Sequence, residues 1–141
     1  MSSFPYRSDG GAARPVVDVV AHHGPRSARV SALLDTGSLQ TVFDHHVAGE
    51  LGIALGRKGA EQRMLRLLGG TWTVQFEHVD LALAGTDEFW AARVGFLTAP
   101  GPRLPALGLL GSAGFFDRYV VTFAEYHDRV TVEHAADVPP V

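Results

Sequence analysis

The chain of 141 residues contains no cysteine, which removes disulfide frameworks, thiol nucleophiles and cysteine-based zinc sites together. It contains no asparagine either, so it offers no N-glycosylation acceptor. No apolar run approaches the roughly 20 residues of a membrane-spanning helix. Met1 to Gly11 lacks the apolar stretch of a secretory signal. Cytoplasmic residence is the expectation left by elimination. A net charge of −3 gives no electrostatic case for nucleic acid or an anionic membrane as partner. With 46% hydrophobic and 19% charged residues, the composition is that of an ordinary soluble globular chain. Its length suits one domain whose core needs no metal or disulfide staple.

Strand and turn signals dominate the pattern. Residues 1–14, rich in Ser, Gly and Arg, read as a mobile arm. Residues 15–134 read as the folded domain and 135–141 as a tail containing Pro139 and Pro140. Pro15 to Ala21 and Ala28 to Leu34 are apolar, β-branched strands joined by the turn chemistry of His23-Gly24-Pro25-Arg26. Asp44 to Leu51 is expected as a short helix, with Asp44 as N-cap and Gly52 just past its end. Met64 to Phe76 alternates apolar and polar residues about Gly69-Gly70, the pattern of a projecting hairpin. Val79 to Ala84 and Trp90 to Leu97 are further strands, Ala99 to Pro105 a Pro-rich loop, and Leu107 to Leu110 a fully apolar strand. Ser112 to Tyr119 is expected as a second short helix. Val120 to Glu125 and Arg129 to Glu133 form a last hairpin. Many short strands with Gly and Pro turns imply an all-β domain built on a closed, barrel-like sheet.

One segment reads as chemistry rather than packing. Ala32-Leu33-Leu34 runs straight into Asp35-Thr36-Gly37-Ser38. An acid at the end of a buried strand loses hydration, and its ionisation becomes sensitive to what faces it. The Thr36 and Ser38 hydroxyls can hydrogen-bond the carboxylate or the backbone around it. A weak internal echo pairs this segment with Leu109-Leu110-Gly111-Ser112: in each, an apolar strand meets a small-residue turn, followed by an aromatic and an Asp (Phe43-Asp44, Phe116-Asp117).

Three features in order carry a family resemblance. Asp35-Thr36-Gly37-Ser38 after an apolar strand looks like the active-site loop of aspartic proteases. Leu68-Gly69-Gly70-Thr71-Trp72 looks like a glycine-rich flap, with Leu68, Gly69, Gly70 and Trp72 as its substrate-facing candidates. Leu109-Leu110-Gly111 resembles the structural segment that crosses behind the active-site loop. The chain thus resembles a retropepsin-like aspartic protease of the single-domain, bacterial type, with a retropepsin fold, a flap hairpin and one or two short helices. The resemblance implies Asp35 as catalytic residue, no cofactor, an extended peptide substrate and a homodimer. Only one Asp-Thr-Gly is present, whereas the chemistry uses two carboxylates sharing a proton, so the pair must come from two copies. Two positions depart from the pattern: Leu39 stands where retroviral members usually carry an acid, and Ser112-Ala113 where a polar pair is common. A catalytically silent peptide-binding or dimerisation module on the same fold is the alternative.

Other chemistries find little support. Adjacent residues point apart on strands and helices, so His22-His23 and His45-His46 imply no metal site. Leu110 occupies the first glycine position of a serine-hydrolase elbow around Ser112. Gly56-Arg57-Lys58-Gly59 is too short for a P-loop.

Overall fold

The computed structural model describes residues 1–9, 11–67, 69–100 and 107–140. The loop expected over Ala99 to Pro105 and the tip residue Leu68 lie wholly or largely outside these residues. Among the described residues, twelve strands and one α-helix are formed: β1 (Ser2–Pro5), β2 (Arg7–Asp9), β3 (Ala12–Arg14), β4 (Val16–His23), β5 (Arg26–Leu34), β6 (Val42–Phe43), α1 (His45–Glu50), β7 (Glu61–Leu67), β8 (Gly70–Leu83), β9 (Phe89–Leu97), β10 (Gly108–Leu110), β11 (Tyr119–Ala124) and β12 (Arg129–His134).

The main sheet runs β4-β5-β10-β6-β9-β8-β7, and β4 also pairs with β8. That extra pairing, antiparallel from Val19↔Leu83 to His22↔Asp80, closes the sheet into a ring and leaves β7 as an extension on β8. Closure gives the six ring strands partners on both sides, and β7 carries the sheet's edge. The 14-residue β8 makes it possible: its first half pairs with β7, its middle with β9 and its end with β4. The sequence divides this stretch at Glu77-His78, but Val74, Phe76, Val79, Leu81 and Leu83 are buried along one continuous strand.

Alternation of inward β-branched and aliphatic residues fills the barrel. Val19, Ala21, Val30, Ala32, Leu81, Val94, Phe96 and Leu110 have almost no exposed surface. A smaller apolar cluster of Val42, Leu67, Val74, Phe76, Leu97 and Leu109 lies apart from this core, with Leu33, Leu65 and Trp72 packed on it. Helix α1 forms where expected. The Asp44 carboxylate accepts from the His46 N–H, Leu51 is the C-cap, and Gly52 takes φ +69°, the left-handed turn that favours glycine at a helix end.

Two expectations are corrected. Residues 1–14 are not an arm detached from the fold. β1 pairs with β12 in a three-stranded sheet with β11, and β2 pairs with β3. The aromatic residues explain it: Phe4 packs on the core, and Tyr6 is buried with its hydroxyl donating to Glu125 at 2.7 Å. Burial, and then the Glu125 carboxylate, push the Tyr6 phenol up to about 12. Arg7 adds an ion pair with Asp18 at 2.7 Å. Secondly, Ser112 to Tyr119 is a run of turns rather than a helix. Phe116 and Asp117 donate to the carbonyls of Gly111 and Ser112, five residues back, a spacing too wide for α-helical bonding.

Candidate active site

Strand β10 lies between β5 and β6, which precede it in the chain. It runs parallel to β5, with Leu109 opposite Leu33 and Leu110 opposite Leu34. The two segments noted as an internal echo are therefore neighbours in space. Asp35, first residue beyond β5, donates its N–H to the Leu110 carbonyl at 3.0 Å, which fixes the start of the loop. The Gly37 N–H donates to Asp35 Oδ1 at 2.9 Å, and the Ser38 N–H to the Asp35 carbonyl at 3.1 Å. Asp35 as a residue is half-buried, Thr36 and Gly37 are exposed, and Ser38 is buried. Ser38 Oγ donates to the Gln40 carbonyl at 2.6 Å, bracing the loop rather than touching the acid.

The loop is clamped from behind. Ser112 N–H donates to the Ser38 carbonyl at 2.9 Å, and Ala113 N–H to the Leu39 carbonyl at 3.0 Å. Thr41 Oγ1 donates to the Ala113 carbonyl at 2.8 Å and accepts from the Gly111 N–H at 3.2 Å. Because the bracing is main-chain, the departure Ser112-Ala113 does not weaken it. Gly111 is where the two segments touch: a Cβ there would lie 2.6 Å from the Ser38 carbonyl oxygen and closer still to that of Gln40.

In front of the loop is a cavity of about 330 Å³, lined by Asp35, Gly37, Ser38, Leu39, Gln40, Leu65, Arg66, Leu67 and Leu109. The β7–β8 hairpin supplies one wall through Leu65, Arg66 and Leu67, residues that the sequence places in the hairpin without marking them as part of the site. The alternation marks the hairpin, but which of its residues line the cavity follows from the register of β7 on β8. Of the expected flap residues, Leu68 lies outside the described residues, and Gly69, Gly70 and Trp72 do not line this cavity. Trp72 is half-buried, its indole N–H donating to the Leu67 carbonyl at 3.2 Å, and its ring lies over Gly70. It stiffens the hairpin close to the turn. Leu109 lines the cavity, Leu110 is fully buried, and Gly111 makes the close approach. Leu39, at the position where an acid is usual, is 76% exposed beside the cavity.

The histidine pairs behave differently from one another. His22 packs against Phe89 and His23 Nδ1 lies 3.3 Å from the Leu51 carbonyl, so this strand pair does diverge. His45 and His46 do not: both Nδ1 atoms lie within 3.0 Å of Asp44 Oδ1. At the first turn of a helix, consecutive rings can both fold back onto the N-cap side chain. Burial alone would raise the Asp44 carboxyl, but the hydrogen bonds from the His46 backbone and ring and the nearby imidazoles hold it below its ordinary value.

A closed β barrel with an acid-bearing loop crossed by a later strand, and a hairpin over that acid, defines the retropepsin fold. Among solved structures, the protease of EIAV in complex with the inhibitor HBY-793 is similar to this chain. It shares 20% identity, with a TM-score of 0.50 over 74% of this chain and 88% of that one. No protein-family model and no curated protein sequence matches the chain. Among the described residues, no helix is long and apolar enough to cross a membrane.

Proposed function

We propose that the protein is an aspartic endopeptidase acting as a homodimer, with Asp35 of each copy facing the other across a two-fold axis. The observation that carries this is Asp35 itself, held at a strand end by Leu110 and Gly37 at the mouth of a cavity large enough for an amino-acid side chain. One such loop per chain supplies one carboxylate, and a second copy supplies the other. Two like charges in contact do not both ionise cheaply, so one acid stays protonated while its partner acts as base. A water between them attacks the peptide carbonyl. The ionised carboxylate takes the water's proton, and the other protonates the carbonyl oxygen. The carboxyl group that took the water's proton then protonates the amide nitrogen, the other carboxylate takes a proton from a gem-diol hydroxyl, and the C–N bond breaks to release the amine and a carboxylic acid. No covalent enzyme intermediate forms. The β7–β8 hairpin closes over an extended peptide, whose backbone pairs as an added strand while alternate side chains enter pockets.

The rival reading, a catalytically silent peptide-binding or dimerisation module, is favoured by Leu39, which cannot supply the carboxylate usual at its position. Light scattering and a diverse peptide library separate the two. The enzyme reading expects a dimer, cleavage with a bell-shaped pH profile, and loss of cleavage in Asp35→Asn with the dimer retained. A strict monomer, or a dimer that leaves every peptide intact from acid to neutral pH, rejects it.

A further inference from the structure

The clustering of Asp44, His45 and His46 has no part in the proposed peptide chemistry. The Asp44 side chain is buried, and its N–H is tied to the Leu107 carbonyl at 3.0 Å. The residues that flank the trio, Phe43 on one side and Val47 and Ala48 on the other, are buried, so the backbone carrying it is fixed by the core. Asp44 Oδ1 lies 3.0 Å from His45 Nδ1 and 2.9 Å from His46 Nδ1. The two imidazole rings stand 4.1 Å apart between centroids. The three ligand atoms fall within 4.8 Å of one another. Independently, His45 Nδ1 is shut off from solvent and makes no hydrogen bond: it is close to the carboxylate but badly aligned to donate to it. A buried ring nitrogen left without a partner is costly, and in its unprotonated form its lone pair is free to bind a cation.

From this we infer that Asp44, His45 and His46 form a binding site for one divalent transition-metal ion. Metal–ligand bonds of roughly 2.1 Å place neighbouring ligands roughly 3 Å apart in a right-angled shell and about 3.4 Å apart in a tetrahedral one; the two oxygen–nitrogen separations suit the former as they stand, and binding replaces the hydrogen bond that now joins the His46 ring to Asp44 Oδ1. Two imidazoles with one carboxylate and no thiolate select Zn²⁺, Ni²⁺ or Co²⁺ over Mg²⁺ or Ca²⁺, which prefer all-oxygen shells. The side chain of His46 is 73% exposed, so solvent reaches the site and water completes the coordination. The ion would tie the end of β6 to the first turn of α1, giving it a stabilising role separate from Asp35.

The test uses the full chain freed of metal by chelation and titrated with Zn²⁺ by calorimetry and with Co²⁺ by visible absorption. The expected result is saturation at one equivalent, with a rise in Tm that chelator reverses. Asp44→Asn keeps an N-cap acceptor while removing the charged ligand. It, His45→Gln and His46→Gln should each weaken binding at least about tenfold, the loss typical of even an outer-sphere partner. Because His46 is exposed, His46→Gln leaves folding intact and is the deciding variant. Replacing His22 and His23 together by Gln should leave the titration unchanged. The inference fails if the chain shows no saturable single-equivalent binding, if binding survives His46→Gln, or if it is lost with His22 and His23 instead.

Discussion

Adding one methyl group to this protein should have opposite effects at two glycines. At Gly111 the new Cβ would lie 2.6 Å from the Ser38 carbonyl oxygen, against about 3.3 Å for an ordinary carbon–oxygen contact. The obstacle is backbone, so the Asp35 loop and the segment after β10 must part by roughly 0.7 Å or more. Four hydrogen bonds span that junction: Ser112 to Ser38, Ala113 to Leu39, Thr41 to Ala113 and Gly111 to Thr41. At about 1 kcal/mol net for each bond, Gly111→Ala should cost about 2–4 kcal/mol. At Gly49, inside α1, a Cβ meets nothing within 4 Å, and alanine is the better helix former by about 0.5–1 kcal/mol. Equilibrium urea unfolding of both variants at matched slope reads the difference directly. A Gly111→Ala midpoint within about 0.5 kcal/mol of the parent would show that the two segments are not in enforced contact, and the clamp described above would be wrong.

Acid should remove one interaction in a defined window. Burial would raise the Asp18 carboxyl, but hydrogen bonds from Ser31, Arg7 and Arg29 outweigh it and hold the group at about 2, below its ordinary 3.8. A depressed carboxyl stabilises the fold fully above 3.8 and loses that contribution as pH falls through about 2; with Arg7 and Arg29 partly exposed, about 1 kcal/mol is at stake. Asp18→Asn should remove this step from a plot of stability against pH, and an unchanged acid limb would refute the assignment. Deleting residues 1–6 strips Phe4 and Tyr6 from the fold and should cost about 3 kcal/mol or more, read by thermal unfolding; a truncated chain as stable as the parent would return this segment to the status of an arm. Gln75 is fully buried and holds the Gly56 N–H at 2.9 Å and the Ala54 carbonyl at 3.0 Å, so Gln75→Leu should cost about 2–3 kcal/mol and speed amide exchange at Gly56. Protection at Gly56 equal to that of the parent would place its anchor elsewhere.

The sequence was most legible where local chemistry and long-range packing agree. Leu33-Leu34 before Asp35 and Leu109-Leu110 before Gly111 are strands because they are apolar, and they are neighbours because pairing buries Leu34, Leu109 and Leu110 together. Asp44 and Gly52 bracket α1 by capping preferences that require no tertiary context. The failures have a common cause. Phe4 and Tyr6 are two aromatics in a polar stretch, and only β12 gives them somewhere to pack. Ser112 to Tyr119 has no Pro to bar a helix, but its residues are middling helix formers with a Gly among them, Gly111 and Ser112 are drawn onto the Asp35 loop, and the following turns widen to fit. Leu65 to Leu67 face the acid through a pairing register that no local pattern encodes. The folding back of His45 and His46 onto Asp44 depends on N-cap geometry, which the rule that adjacent residues diverge overlooks.

The interposition of β10 between β5 and β6 has a consequence for biosynthesis. Ribosomes deliver the acid loop long before they deliver the strand that steadies it, since some seventy-five residues separate Asp35 from Gly111. A growing polypeptide can therefore carry the tripeptide without carrying a formed centre. The loop-closure entropy of so distant a pairing leads us to expect this junction to close late and slowly in folding, as in other sheets whose neighbours are far apart in the chain. Chains cut short before residue 108 hold the acid in a loop without the strand and main-chain donors that brace it, and a formed centre waits until residues 108–113 have emerged.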